Sequence, residues 1–286
     1  MLGRRGTLPL LVGPPLVWLA LLFVAPLILI VAFSLRPESG VVNAADPWNP
    51  SLVQYGKVLG TPAFLRLLGV SALMALGIAV AATILAYPLA YFLAFRARTR
   101  ATLFLALLLV PFAASYLLRI MAWKLVLGPA GAVNSLLSSA GLISEPLDLL
   151  LYSRGAVVIT LVYVWIPFAA LPILASLQRI ERSQLEAAAD LGAGPWTRFR
   201  RVTLPQSLPG TLAAFFMVFI PTIGEYVTPT LIGGTGGIMY GNLIQDFFGR
   251  AGNWPLGAAL AMVMLILTVV GVLIALRAVD LRRVAP

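Results

Sequence analysis

No cysteine and no histidine occur among the 286 residues, and only 20 Lys+Arg and 10 Asp+Glu are spread over them. Without cysteine there are no disulfides and no thiolate or Fe–S metal sites, and without histidine the commonest metal ligand and general base is missing as well. Both absences argue against metal-dependent and cysteine-nucleophile chemistry. The only lysines are Lys57 and Lys124, followed by Val58 and Leu125, so the Gly-Lys-Ser/Thr core of a phosphate-binding P-loop is lacking too. What fills the chain instead is hydrocarbon. Hydrophobic residues make up 60% and charged residues 10%, against roughly 45–50% and 25% in a soluble domain. This is the composition of an integral membrane protein, and no 20–50-residue repeat, low-complexity tract or soluble domain interrupts it.

A helix crosses a bilayer in about 20 apolar residues. Six runs approach or exceed that length: 8–33, 67–95, 102–118, 156–177, 208–230 and 256–276. The expectation is an all-α membrane protein of six transmembrane helices, a single domain over 1–286. Arg4 and Arg5 precede the first run, as in a secretory signal, but that run far exceeds the roughly 7–15 residues of a signal core, so a retained span is expected. Prolines at 88, 111, 167, 172, 209 and 221 lie in or near spans, where neighbouring helices satisfy the carbonyls they free, and bent helices around a pathway follow. Basic residues set the orientation. Placing segments 1–7, 96–101, 178–207 and 277–286 inside puts 13 of the 20 Lys+Arg on the cytoplasmic side. Both termini and the 178–207 insert are then cytoplasmic. Topology and anionic lipid headgroups account for the net charge of +10 better than nucleic acid does, because the basic residues are scattered over short loops.

The insert has local structure of its own. Ser183 and Glu186 fit a capping box and predict a helix from Gln184. Leu185, Ala188 and Ala189 share one face, and Gly192 is placed to end the helix in the left-handed conformation. Gly194-Pro195 turns the chain, and Trp196, Phe199 and Val202 then fall on one helical face. Arg198, Arg200 and Arg201 are available to lipid phosphates or a partner, and Pro205 and Pro209 lead into the fifth span. A two-turn helix is marginal in water and needs packing against something. From the residues alone, that something is either the protein's own helices or another chain.

The order Glu186-Ala187-Ala188, three residues, Gly192, nine residues, Val202, one residue, Leu204-Pro205 resembles the EAA loop of binding-protein-dependent ABC importer permeases, with Val202 where isoleucine is usual. The resemblance implies a type I importer permease fold whose cytoplasmic coupling helix docks into a groove on an ATPase. Glu186 would supply a polar contact, Ala187 and Ala188 a close-packed face, and Gly192 the turn. Further stretches, "VPFAASYLLRIMAWKLVLGPAGAVNSLL", "GEYVTPTLIGG", "GNLIQDFF" and "NWPLGAA", are similar to the spermidine/putrescine permease branch, whose members also carry opines and phosphonates. By resemblance the chain is a non-enzymatic transport subunit of the bacterial inner membrane. Its partners are an ATP-binding subunit dimer, a second homologous permease and an extracytoplasmic solute-binding protein, and ATP and Mg are bound by the ATPase while this chain binds no cofactor.

A rival reading, an ion-coupled secondary transporter, calls for inverted repeats and a self-contained ion site, and neither is visible. An intramembrane enzyme lacks clustered catalytic carboxylates. Glu225 is the only acidic residue within an expected span, where a carboxylate costs about 2.5–3.5 kcal/mol. It either has a structural explanation, such as pairing with Arg119 or lying near the outer surface, or it faces the pathway and pairs with a solute ammonium, with Tyr226 and Tyr116 offering ring faces. Asp246, beside Phe247 and Phe248, either faces a docked protein or solute or sits in a solvated loop. The outer segment Ser51–Leu68 is expected to form an interfacial helix.

Overall fold

The computed structural model describes residues 4–37, 48–97, 100–147 and 150–278, and all regular structure among them is helical. The elements are α1 (Arg4–Leu19) and α2 (Ala25–Ser34), joined by one widened π turn, then α3 (Val53–Gly60), α4 (Pro62–Phe95), α5 (Ala101–Ala113), α6 (Tyr116–Leu127) and α7 (Ala132–Ser139). After α8 (Arg154–Leu177) come α9 (Arg182–Asp190), α10 (Pro195–Arg198), α11 (Leu204–Ile223), α12 (Tyr240–Phe248) and α13 (Trp254–Ala278). Among the described residues, six stretches are long and apolar enough to cross a membrane: Val12–Ser34, Pro62–Phe95, Tyr116–Ser139, Arg154–Leu177, Pro195–Ile223 and Trp254–Arg277.

Two of these differ from the sequence expectation. The apolar run 102–118 is not one helix, because α5 stops at Ala113 and the chain is extended at Ala114 and Ser115. Ser115 takes a cap conformation, and its carbonyl accepts from the Arg119 amide at 3.2 Å to start α6. A favoured cap residue is thus hidden inside an apolar run. The fifth run is displaced in the other direction. Helix begins at Pro195, continues through a π turn at Phe199–Thr203 into α11 and ends at Ile223, so 224–226 lies beyond it. Hydropathy locates apolar side chains and says nothing of where the backbone turns.

The chain forms two compact units, one of Met1–Arg66 with Leu243–Leu267 and one of Leu67–Asn242 with Thr268–Pro286. In the first, α3 is fastened to the end of α2. The Ser34 hydroxyl shares a 2.7 Å hydrogen bond with the Tyr55 hydroxyl, and the buried Gln54 amide donates to the Arg36 and Pro37 carbonyls at 3.3 and 3.2 Å. Ring contacts Phe33–Trp254 and Phe64–Phe247 add apolar packing. The segment from Ser51 to Leu68 is therefore α3 plus the start of α4, with Leu52, Leu59 and Leu65 exposed.

The second unit is built on α4, α8 and α11. Ala75, Ala79, Ala82, Ala86 and Ala90 recur three or four residues apart on α4, and every one is fully buried. Small residues at that spacing let helices approach closely where lipid offers no hydrophobic incentive to associate. Gly210 of α11 carries the same logic further, for a Cβ there would collide with the Pro172 carbonyl and the Ser176 Cβ of α8. Ile173, Leu177, Ala214 and Val218 fill the surrounding core.

Candidate functional site

The predicted short helix is α9, and it starts two residues earlier than the capping box implied. Glu181 is the residue before the first turn, and the Ser183 hydroxyl donates to its carboxylate at 3.1 Å instead of capping the backbone. Glu186 therefore does not close a box; it stands exposed, as does Ala187, while Ala188 is half-buried. Leu185 turns inward and packs against the core.

At the other end, Gly192 has φ +80°. Its amide donates to the Ala189 carbonyl at 2.8 Å and the Ala193 amide reaches back to Ala188 at 3.0 Å. These two bonds are the Schellman pattern, in which the left-handed residue folds the chain back onto the last turn. The fold-back exposes Leu191 at 89% and Trp196 at 71% on the same short stretch.

What anchors this stretch was not read from the sequence. The Gln206 amide donates to the Gln184 side-chain oxygen at 2.7 Å, tying α9 to the first turn of α11. Phe199 meets the rings of Tyr87 and Tyr91 on α4 edge-on at 5.8 and 6.1 Å, and Trp196 stacks on it from outside. The Tyr87 hydroxyl shares a 2.7 Å bond with Ser207. Leu204 and Pro205 are the first two residues of α11. Pro205 has no amide to donate backwards, and the helix passes it with a widened turn, the Leu204 amide reaching the Phe199 carbonyl. The aromatic residues of "GPWTRFRR" were legible as one face, but their partner ring on α4 lies more than a hundred residues away.

Two of the expected substrate residues, Glu225 and Tyr226, sit at the break after α11. Glu225 is not inside a helix. Its Oε1 accepts from the Val227 and Thr228 amides at 2.8 and 3.1 Å and so starts the next helical turn. This accounts structurally for the carboxylate by a route other than the Arg119 pair, since an anion is stabilised by free amides at a helix start. Asn242 fastens the break from the far side, its amide donating to the Tyr226 carbonyl at 2.9 Å and the Thr230 hydroxyl at 2.7 Å while its oxygen accepts from the Met239 amide. Gly241 lies against the Gly224 and Glu225 carbonyls so tightly that a Cβ would overlap them. Tyr240 is fully buried, its amide held by the Ser71 hydroxyl at 2.7 Å, and burial pushes its phenol up to about 12.

Around the break, Tyr226 is 45% exposed and Glu225 partly so. Tyr116, half-buried in the first turn of α6, bonds the buried Thr228 hydroxyl at 2.8 Å, and both Glu225 and Arg119 lie close enough to act on its phenol electrostatically. The structure therefore brings Tyr116, Glu225 and Tyr226 together. Asp246 belongs to the other compact unit, where it is partly exposed and pairs with Arg250 four residues on at 3.2 Å. Sequence reading missed Thr228 and Asn242. Both stand in the quoted stretches "GEYVTPTLIGG" and "GNLIQDFF", and their polar side chains amid apolar residues were the available signal.

The family described as "Binding-protein-dependent transport system inner membrane component" matches residues 82–284. The spermidine/putrescine transport system permease protein PotB of Escherichia coli (strain K12) is 33% identical over 251 residues, covering 87% of this chain and 89% of the relative. The inner membrane ABC transporter permease protein YdcU of the same organism is 32% identical over 286 residues, covering 92% and 86%. Among solved structures, one chain of a bacterial alginate ABC transporter, in complex with an alginate pentasaccharide-bound periplasmic protein, superposes with a TM-score of 0.72 at 16% identity over 95% of this chain and 93% of that one.

Proposed function

Since this chain belongs to the family of binding-protein-dependent transport system inner membrane components and is the permease subunit of an ABC importer, a transport component rather than an enzyme, we propose that its solute is a polyamine of the spermidine/putrescine type. Of the two relatives quoted above, PotB is named for those solutes. The observation that carries the solute class is Glu225: a partly exposed carboxylate at a helix break, with the Tyr116 phenol close to it and the exposed Tyr226 next in the chain. A carboxylate flanked by aromatic faces suits an ammonium joined to methylene groups, because the charge is neutralised while the chain lies on the rings.

Inward movement in this proposal follows ATP-driven alternating access. An extracytoplasmic binding protein delivers the solute, and ATP and Mg act on a separate ATPase dimer. A second homologous permease completes the pathway. The exposed α9 tip, with Glu186, Ala187, Leu191 and the Gly192 turn, is the docking element for the ATPase, and Leu204 and Pro205 carry the motif into α11. The proposal has both termini and segment 178–207 on the cytoplasmic side, following the distribution of basic residues.

Glu225→Gln tests the solute assignment cleanly. The glutamine oxygen still accepts from the Val227 and Thr228 amides, so the break keeps its geometry while the charge disappears. The complex should assemble and bind its ATPase, yet import putrescine or spermidine several-fold more slowly in reconstituted vesicles. Unchanged uptake sinks the cation site and leaves the importer assignment standing.

A further inference from the structure

The end of α4 folds back on itself and leaves a small cavity. The Arg96 and Ala97 amides both donate to the Phe92 carbonyl, at 2.9 and 3.0 Å, and the Arg100 amide donates to the Ala97 carbonyl at 2.7 Å. With α5 starting at Ala101, these bonds bring two arginines to one place. The cavity, about 290 Å³, is lined by Phe92, Arg96, Ala97, Arg100 and Phe104. Ala97 is buried, and the Phe92 and Phe104 rings meet edge-on with centres 5.8 Å apart. Among the described residues, Arg96 and Arg100 make no ion pair and no side-chain hydrogen bond. Two like charges lining one small cavity repel each other, and an anion between them reverses the sign of that interaction. The larger cavity beside it, lined in part by Arg179, Glu181 and Arg182, already holds a carboxylate of its own.

The surroundings indicate which anion. The 34 residues of α4 make a helix of about 51 Å, against a hydrocarbon core of about 30 Å, so its last turn stands in the headgroup layer. Phe92 and Phe104 are both exposed there, at the depth where aromatic rings anchor a protein to the interface. From the cavity an apolar track leads along α5, where Leu103, Leu107 and Val110 recur at helical spacing on one face and are all exposed. An ion from solution would use the arginines alone. A phospholipid uses the arginines for its phosphodiester and the rings and the α5 face for its acyl chains.

We propose that the cavity between α4 and α5 binds the headgroup of an anionic phospholipid. Arg96 and Arg100 donate to its phosphodiester oxygens, for which the guanidinium fork is shaped, and a basic pocket between membrane helices is the general setting for such recognition. The site is independent of Glu225 and of the solute's identity. It lies on the helix that also receives the coupling segment, since Tyr91, whose ring is 4.8 Å from that of Phe95, is one of the two tyrosines that meet Phe199.

Native mass spectrometry of the detergent-solubilised permease–ATPase complex provides the test, after incubation with phosphatidylglycerol or with zwitterionic phosphatidylcholine of the same acyl chains. The parent should retain phosphatidylglycerol several-fold better than phosphatidylcholine, and the double variant Arg96→Gln/Arg100→Gln should retain several-fold less phosphatidylglycerol than the parent. Arg179→Gln/Arg182→Gln removes the same charge from the neighbouring cavity and should behave as the parent does. Equal loss in both double variants overturns the site in favour of diffuse attraction to basic loops, and parent-like retention in Arg96→Gln/Arg100→Gln overturns it outright. A parent with no preference between the lipids, but with a thermal midpoint that inorganic phosphate raises only while Arg96 and Arg100 are present, would hold a free anion and overturn the lipid assignment. If the double variant fails to insert, the two single substitutions decide: parent-like retention in both overturns the site.

Discussion

Gly192 is the residue whose local geometry was most fully legible. Its position after two turns of helix predicted a left-handed end, and φ is +80° with both Schellman bonds made. A Cβ at this position would meet nothing within 4 Å, so substitution there acts through backbone conformation and not through a clash inside the chain. A non-glycine residue in that region costs about 1–2 kcal/mol, and a β-branched one is an outlier. Gly192→Val should insert normally yet abolish solute-stimulated ATPase activity of the assembled complex, while Gly192→Asn, which tolerates the left-handed region, should retain most of it. Parent-like activity in Gly192→Val would remove the turn from the coupling joint. Glu225 shows the opposite case. Its position was conspicuous in the sequence, but its bonds to the Val227 and Thr228 amides were not, because they exist only if the helix stops at Ile223. What stops it there includes Gly241 and Asn242, packed on the break from sixteen or more residues downstream. Window-based reading has no access to such a cause.

At the level of elements, six apolar spans could be counted from hydropathy, and six helical stretches of sufficient length and apolarity are present among the described residues. Boundaries failed where polar backbone bonding overrode apolar composition: at Ser115, which divides α5 from α6, and at Pro195, where the helix leading into α11 starts well inside the expected loop. The pairing of α8 with α11 was also out of reach, although Gly210 is the residue that permits it. Gly210→Ala should place a methyl group against the Pro172 carbonyl and Ser176, an overpacking worth roughly 1–3 kcal/mol. Thermal unfolding of the detergent-solubilised protein should show a lowered midpoint, and adding Ser176→Gly should recover only part of it, since the carbonyl conflict remains. A Gly210→Ala midpoint equal to the parent's would mean that the two helices do not meet there.

For the whole molecule, composition alone gave the membrane class, and the EAA-type spacing gave the resemblance to importer permeases, a family to which the chain belongs. Orientation is open to direct test because no native cysteine interferes. Ser139 and Ser183 are both exposed. An impermeant thiol reagent should label Ser139→Cys in intact spheroplasts, and Ser183→Cys only after the membrane is opened. The reverse pattern would invert the topology and move α9 away from any cytoplasmic ATPase.

The helix that begins at Pro195 and passes through its widened turn to Ile223 also has a mechanical reading. Twenty-nine residues at 1.5 Å each make a rod of about 43 Å. It is bolted to α4 near one end, by Phe199 between two tyrosine rings and by Ser207 on the Tyr87 hydroxyl. Pivoting close to Thr203, the short arm toward Pro195 is about 12 Å and the long arm toward Ile223 about 30 Å. Were the rod to pivot there as one body, against the close contact of Gly210 with α8, the arms would give a gain of about 2.5, so that a displacement of about 2 Å at the exposed Trp196 end would swing the far end by about 5 Å, next to the break that holds Glu225.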